Sequence, residues 1–140
     1  MVHQATLQDY ETVGRLMHAL WPDGSLAERQ EEARELLADD QVFVALWGDQ
    51  AFAQCGLRHD YVEGTETSPV GYLEGIYVSP GLRGQGIARQ LLEACMDWAR
   101  GQGCREFASD CELENAGSLA FHLAAGFTEA NRIICFTRKL

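Results

Sequence analysis

A chain of 140 residues, 46% hydrophobic and 23% charged, can close one packed core and leaves little room for a second; we read residues 1–140 as a single domain. A formal net charge of −10 repels phosphate backbones, which excludes nucleic acid as a partner, and concentrates cations in any cleft of that sign. The five cysteines (Cys55, Cys95, Cys104, Cys111, Cys135) are odd in number and form no CxxC pair, which excludes a disulfide framework and a zinc site; they read as reduced, small hydrophobes.

The chain opens on Met1-Val2-His3-Gln4, with no basic and apolar leader, and no apolar run approaches the ~20 residues of a membrane span, so a cytoplasmic location is expected. Val2 to Ala5 forms a short first strand. Thr6 caps a helix to about Ala19, with Tyr10, Val13, Leu16, Met17 and Leu20 at helical spacing. Trp21-Pro22-Asp23-Gly24 breaks it, and Ser25 with Glu28 forms a capping box for a second helix carrying Leu26, Ala33, Leu36 and Leu37. Val42–Trp47 and Ala51–His59 are strands joined by Gly48-Asp49-Gln50. A polar loop, residues 60–69, leads into Val70–Val78, the strongest strand pattern of the chain, which Pro80-Gly81 ends. Gly86 to about Gln102 is the strongest helix, with Ile87, Leu91, Cys95 and Trp98 on one stripe. Glu106–Cys111 reads as a strand, Asn115–Ala125 as a short helix stopped by Gly126, and Thr128–Lys139 as a final strand. The order gives an α+β (mixed α/β) sandwich around one central sheet.

One motif carries chemistry on its own. Arg83-Gly84-Gln85-Gly86-Ile87-Ala88 lies between the strongest strand and the strongest helix. Two glycines allow close backbone approach, the helix N-terminus offers unpaired N–H groups, and Arg83 adds a charged fork; together they suit a pyrophosphate. A dinucleotide fingerprint would need a third glycine, a phosphate-binding Walker loop would need Gly-Lys-Ser/Thr, and a plain glycine turn stays open on the glycines alone.

The pattern Arg-x-x-Gly-x-Ala after Ile76-Tyr77-Val78-Ser79-Pro80, followed by Asn115, Ala120, Phe121 and Gly126-Phe127, resembles the coenzyme A loop and later helix signature of the GCN5-related N-acetyltransferase (GNAT) superfamily. The resemblance implies a mostly antiparallel central sheet in which two neighbouring parallel strands, Val70–Val78 and Glu106–Cys111, splay around acetyl-CoA. It places the pantetheine arm along Ile76, Tyr77 and Val78. The pyrophosphate falls on Arg83 and the amides of Gly84, Gln85, Gly86, Ile87, Ala88 and Arg89, with Asn115 also at the cofactor. No metal is implied. The amine that attacks the thioester is protonated near neutral pH and must lose a proton. Glu74, in an otherwise apolar stretch, suits that task, and a backbone N–H near Ile76 or Val78 suits the thioester carbonyl. His122 stands where many relatives carry a tyrosine acid, which makes it the candidate to protonate the departing thiolate.

Leu20-Trp21-Pro22, Arg58-His59-Asp60-Tyr61-Val62-Glu63-Gly64, Ser68-Pro69-Val70, Leu73-Glu74-Gly75-Ile76 and Ala108-Ser109-Asp110 resemble a closer group, the aminoglycoside 6'-N-acetyltransferases. By that resemblance Trp21, Tyr61, Glu74 and Asp110 contact the drug: carboxylates meet its ammonium groups and aromatic rings cover its sugar faces. Where some members place a further acidic contact this chain has Asn131, with Glu129 nearby. The apolar C-terminal run Arg132–Thr137 ends near a sheet edge, so a homodimer is expected. Two alternatives stand beside this reading. One is an acetyltransferase for a polyamine, small metabolite or protein amine; the other is a non-catalytic acyl-CoA sensor.

Overall fold

The structure is a computed structural model that describes all 140 residues. Strand β1 (Val2–Gln4) leads through a 3-10 turn at Leu7–Asp9 into α1 (Tyr10–Leu20) and α2 (Leu26–Leu37). Strands β2 (Val42–Trp47), β3 (Ala51–Arg58) and β4 (Val70–Val78) follow, then α3 (Ile87–Gly101), β5 (Phe107–Ser109) and α4 (Ala116–Ala124). One five-stranded sheet runs β1-β2-β3-β4-β5. Its first three pairings are antiparallel and the β4–β5 pairing is parallel.

Helices cover both faces of the sheet. On one, Val13, Leu16 and Met17 of α1 and Ala33 of α2 pack on Val44, Leu46 and Phe52. A Cβ at Gly14 would lie 2.5 Å from the Gln30 Cα, so glycine lets α1 and α2 approach closely. On the other face Ile87, Leu91, Leu92 and Cys95 of α3 cover Ala45, Ala53, Cys55 and Leu73, and Phe121 and Phe127 from the α4 region join this core. Ser25 caps α2 as the sequence predicts, its Oγ accepting the Glu28 N–H at 3.0 Å.

Four expectations are corrected. The first helix starts with a 3-10 turn, in which the Asp9 carboxylate accepts the Thr6 N–H at 2.7 Å. The strand expected over 106–111 shrinks to Phe107–Ser109. The final strand over 128–139 does not form: β-propensity makes a strand only where a neighbour supplies hydrogen bonds, and no edge of this chain pairs with it. Cys55, Cys95 and Cys104 are buried as small hydrophobes, but Cys111 and Cys135 are exposed free thiols.

Leu91 is fully buried between α3 and the sheet. Leu91→Ala is expected to lower unfolding stability by about 2–5 kcal/mol, through lost burial and the cavity left behind, as read by urea denaturation.

Candidate functional site

The site begins where the sheet divides. Strand β4 pairs with β3 along its whole length, from Val70↔Arg58 to Val78↔Ala51. With β5 it pairs only at Gly71↔Phe107, Tyr72↔Ala108 and Leu73↔Ser109. From Glu74 to Val78 that edge of β4 has no strand beside it. A bulge marks the division: Gln54 faces Gly75 and Cys55 faces Leu73, so Glu74 is the extra residue with no partner across β3. Ile76 and Tyr77 on the open stretch are half-buried and Val78 is buried.

The glycine turn lies beyond the end of β4. Gly84 and Gly86 take φ of +81° and +80°, and a Cβ added at either would meet nothing within 4 Å. Gly86 caps α3 in the left-handed conformation, which leaves the first-turn amides of Ile87, Ala88 and Arg89 facing an open cradle. That cradle fits an anionic group such as a pyrophosphate. Arg83 is partly engaged, its Nε donating to the Val78 carbonyl at 2.8 Å. Arg89 donates to the Ala124 carbonyl and ties α3 to α4. Gln85 is exposed. Asn115 caps α4, its Oδ1 accepting the Ser118 N–H at 3.1 Å.

On the other side of the division lies a charged network. Arg58 Nη2 donates to Glu74 Oε1 at 2.8 Å. Its guanidinium carbon sits 3.5 Å from the centre of the Tyr72 ring, and the Tyr72 hydroxyl donates to the Asp110 carboxylate. Burial and the hydrogen bond to Asp110 push the Tyr72 phenol above its ordinary range. Burial acts to lower the Arg58 pKa, but the hydrogen bond and charge of Glu74 hold it above its usual value. Trp21 closes over Gly75, where a Cβ would meet its ring at 2.6 Å. A cleft of about 370 Å³ between α2, β3 and β4 is lined by Trp21, Glu32, Asp39, Gln54, Arg58 and Glu74. Gln54 is 8% exposed.

Tyr61 is 77% exposed on the 59–69 loop. Val62 anchors this loop in a small core with Val70 and Tyr72. Glu106 holds its far end, accepting the N–H groups of Glu66 at 2.9 Å and Thr67 at 2.8 Å and the Thr67 hydroxyl. Asn131 donates to Glu63 Oε1 at 3.1 Å on the same loop, whereas the Glu129 carboxylate is paired with Arg132.

His122 bridges α4 and β5. Its Nδ1 lies 2.7 Å from the Ser118 carbonyl and its Nε2 2.8 Å from Ser109 Oγ. A carbonyl only accepts, so Nδ1 carries the proton and, in the neutral ring, Nε2 accepts the Ser109 hydroxyl. Ser109 is the last β5 residue before the strands part.

The structure thus brings Glu74, Asp110, Trp21 and the open β4 edge to one region, with His122 reaching the division through Ser109. Tyr61 stands on the neighbouring loop. Sequence reasoning missed the parts played by Arg58, Tyr72, Ser109 and Glu106. Arg58 lies inside the block that resembles the drug enzymes, and the alternation of β4 puts Tyr72 two residues before Glu74. No local signal marks Glu106.

A model of the "Acetyltransferase (GNAT) family" matches residues 4–127. An aminoglycoside N(6')-acetyltransferase type 1 of Stenotrophomonas maltophilia is 44% identical over 99% of this chain and 93% of its own length. One from Serratia marcescens is 43% identical over 89% of each. Among solved structures, AAC(6')-Iy in complex with the bisubstrate analogue CoA-S-monomethyl-acetylneamine superposes with a TM-score of 0.92 at 36% identity, over 100% of this chain and 98% of that one.

The hydrogen bonds from Thr67 and Glu66 hold the Glu106 carboxyl below its ordinary pKa. A depressed folded-state pKa stabilises the loop above the free-glutamate value of about 4.3, and that help is lost as pH falls through the lower value. Hydrogen exchange should therefore show the Glu66 and Thr67 amides protected at neutral pH and released only once pH has fallen below the free-glutamate value. Glu106→Ala should release them at every pH.

Proposed function

This chain belongs to the GNAT acetyltransferase family, and from that premise we propose that it transfers acetyl from acetyl-CoA to the 6'-amine of a cationic aminoglycoside, in a ternary complex, and so confers resistance to the drug. The observation that carries this reading is the placement of Glu74 and Asp110 beside the open edge of β4: Asp110 follows directly on the last strand residue, and Glu74 is thrown out by the bulge. The high identity to aminoglycoside N(6')-acetyltransferases supports the acceptor class.

In this mechanism the amides of Gly84 to Arg89, with Arg83, hold the pyrophosphate. The backbone of Ile76, Tyr77 and Val78 holds the pantetheine arm, and Asn115 closes the cofactor side. Acetyl-CoA supplies an acetyl group activated as a thioester. Asp110 and Glu74 pair with ammonium groups of the acceptor, and Trp21 and Tyr61 flank its rings. Glu74 then takes the proton of the reacting amine, directly or through a water, since only the neutral amine has a lone pair to attack with. An N–H near Ile76 or Val78 steadies the oxygen that gains charge. The sulfur departs as a thiolate. His122 supplies it a proton through the Ser109 hydroxyl only when the ring is doubly protonated, since Nε2 then carries the proton that the neutral ring lacks, and solvent restores that proton after each turnover.

We further propose that two copies associate through the C-terminal segment. Ile133, Ile134 and Phe136 are 68%, 80% and 87% exposed, and an apolar run of this kind gains by pairing with a second chain. No helix is long and apolar enough to cross a membrane, and free thiols suit a reducing compartment, so we place the protein in the cytoplasm.

Mass spectrometry and NMR of the product formed with kanamycin test the reading: one added acetyl, on the 6'-amine, is expected. Turnover of spermidine or peptide amines alone would replace the acceptor, and acetyl-CoA binding without turnover of any amine would make the protein a sensor. Glu74→Gln is expected to lower kcat by about 10²- to 10⁴-fold, the usual worth of a general base. Asp110→Asn should raise the kanamycin KM by about tenfold, some 1.4 kcal/mol. Acetyl-CoA affinity measured by calorimetry should stay unchanged in both. Light scattering should give a dimer for the full chain and a monomer for a chain ending at Phe127.

A further inference from the structure

The acceptor cleft already contains a cation of the protein's own. Arg58, the last residue of β3, reaches across to β4 and places Nη2 2.8 Å from Glu74 Oε1. Its guanidinium lies flat on Tyr72, 3.5 Å from the ring centre, and Tyr72 in turn binds Asp110. A positive group therefore already pairs with one of the two carboxylates assigned to the acceptor's ammonium groups and lies on the ring that binds the other.

This ion pair is suited to exchange. The Arg58 and Glu74 side chains are 44% and 39% exposed, and a pair so open to water contributes only about 0–1 kcal/mol. The guanidinium is nonetheless tethered, so it competes with any incoming cation at an effective concentration of order millimolar. A Glu74 carboxylate engaged by Arg58 has one oxygen fewer to offer a reacting amine.

We propose that Arg58 is a positioning residue, a resident counter-cation that holds Glu74 in the empty cleft and that the acceptor's ammonium must displace before reaction. The proposal rests on the aminoglycoside reading above. A monoamine that displaces Arg58 exchanges one ion pair for another and gains little. A polycation gains further pairs in the same event. Asp110 is held by the ring on which the guanidinium lies, and Glu32 and Asp39 line the same cleft. Arg58 thus sets one displacement cost that every acceptor bears, and a polycation offsets it with its further pairs. When displaced, the guanidinium keeps the Tyr72 face available for stacking and the outer solvent for its charge.

The test is steady-state kinetics of the wild type, Arg58→Gln, Arg58→Met and Arg58→Lys with two acceptors: kanamycin, and a methyl 6-amino-6-deoxyglucoside bearing a single amine. Wild-type turnover of kanamycin is the separate control on the functional reading; without it both that reading and this proposal fall. With it present, Arg58→Gln and Arg58→Met should raise kcat/KM for both acceptors by the same factor, up to about fivefold, the upper worth of an exposed pair. They should do so mainly through KM, because the same ion pair is displaced in each case. Arg58→Lys, which keeps a tethered charge, should stay close to the wild type. Arg58→Met also keeps the aliphatic stem on Tyr72, which guards the comparison against unfolding. An equal loss on both acceptors would make Arg58 a support for Glu74, and a loss with kanamycin alone would make it a drug contact. Either result, or no change at all, overturns the proposal.

Discussion

Everything at the site depends on where β4 and β5 stop pairing. Three residues of parallel ladder hold the strands together, and the next five residues of β4 carry an edge with no neighbour. Unpaired backbone groups cost about 1–3 kcal/mol each if buried from water, so such an edge persists only where solvent or a ligand satisfies it. Two side-chain links pin the last paired rung: Tyr72 to Asp110 across the strands, and His122 to Ser109 from α4. The gap is thus a fixed feature of the sheet, with its catalytic candidates attached to the point where it opens.

Charge is organised around that point. The chain carries a net −10, yet the carboxylate next to the gap is held by an arginine stacked on a tyrosine. Long-range acidity draws cations toward the cleft, and the local guanidinium must give way before any of them reaches Glu74. The two effects act at different distances and do not cancel: bulk charge governs encounter, whereas the ion pair governs the final contact.

Much of the fold was legible along the chain because its signals are local. Apolar spacing marked α1 and α3, Ser25 with Glu28 marked α2, and strand-like runs bounded by turn residues marked β3 and β4. The glycine pair 84 and 86 was readable as an anion cradle, since positive φ beside a helix start needs only neighbouring residues to specify it. The final strand was misread for a reason of the same kind. The sequence of residues 132–137 states a preference for extended backbone but not the presence of a partner, and within one chain none is there. Arg58 also escaped, because nothing in the run 58–64 shows that its first residue turns back onto β4 sixteen positions later.

By itself the sequence determined the order of the helices and of the first five strands, the glycine turn that starts α3, the acidity, and the residue types from which a base and an acid are drawn. Caps, turns and periodicities are short-range, so the chain writes them out directly. Only the tertiary structure decided that β5 ends at Ser109, that the bulge leaves Glu74 without a partner across β3, that Glu106 fastens the loop bearing Tyr61, and that Arg58 already occupies the carboxylate. Each of these joins residues distant in the chain, and such contacts are fixed by strand register and layer packing, which no local pattern records.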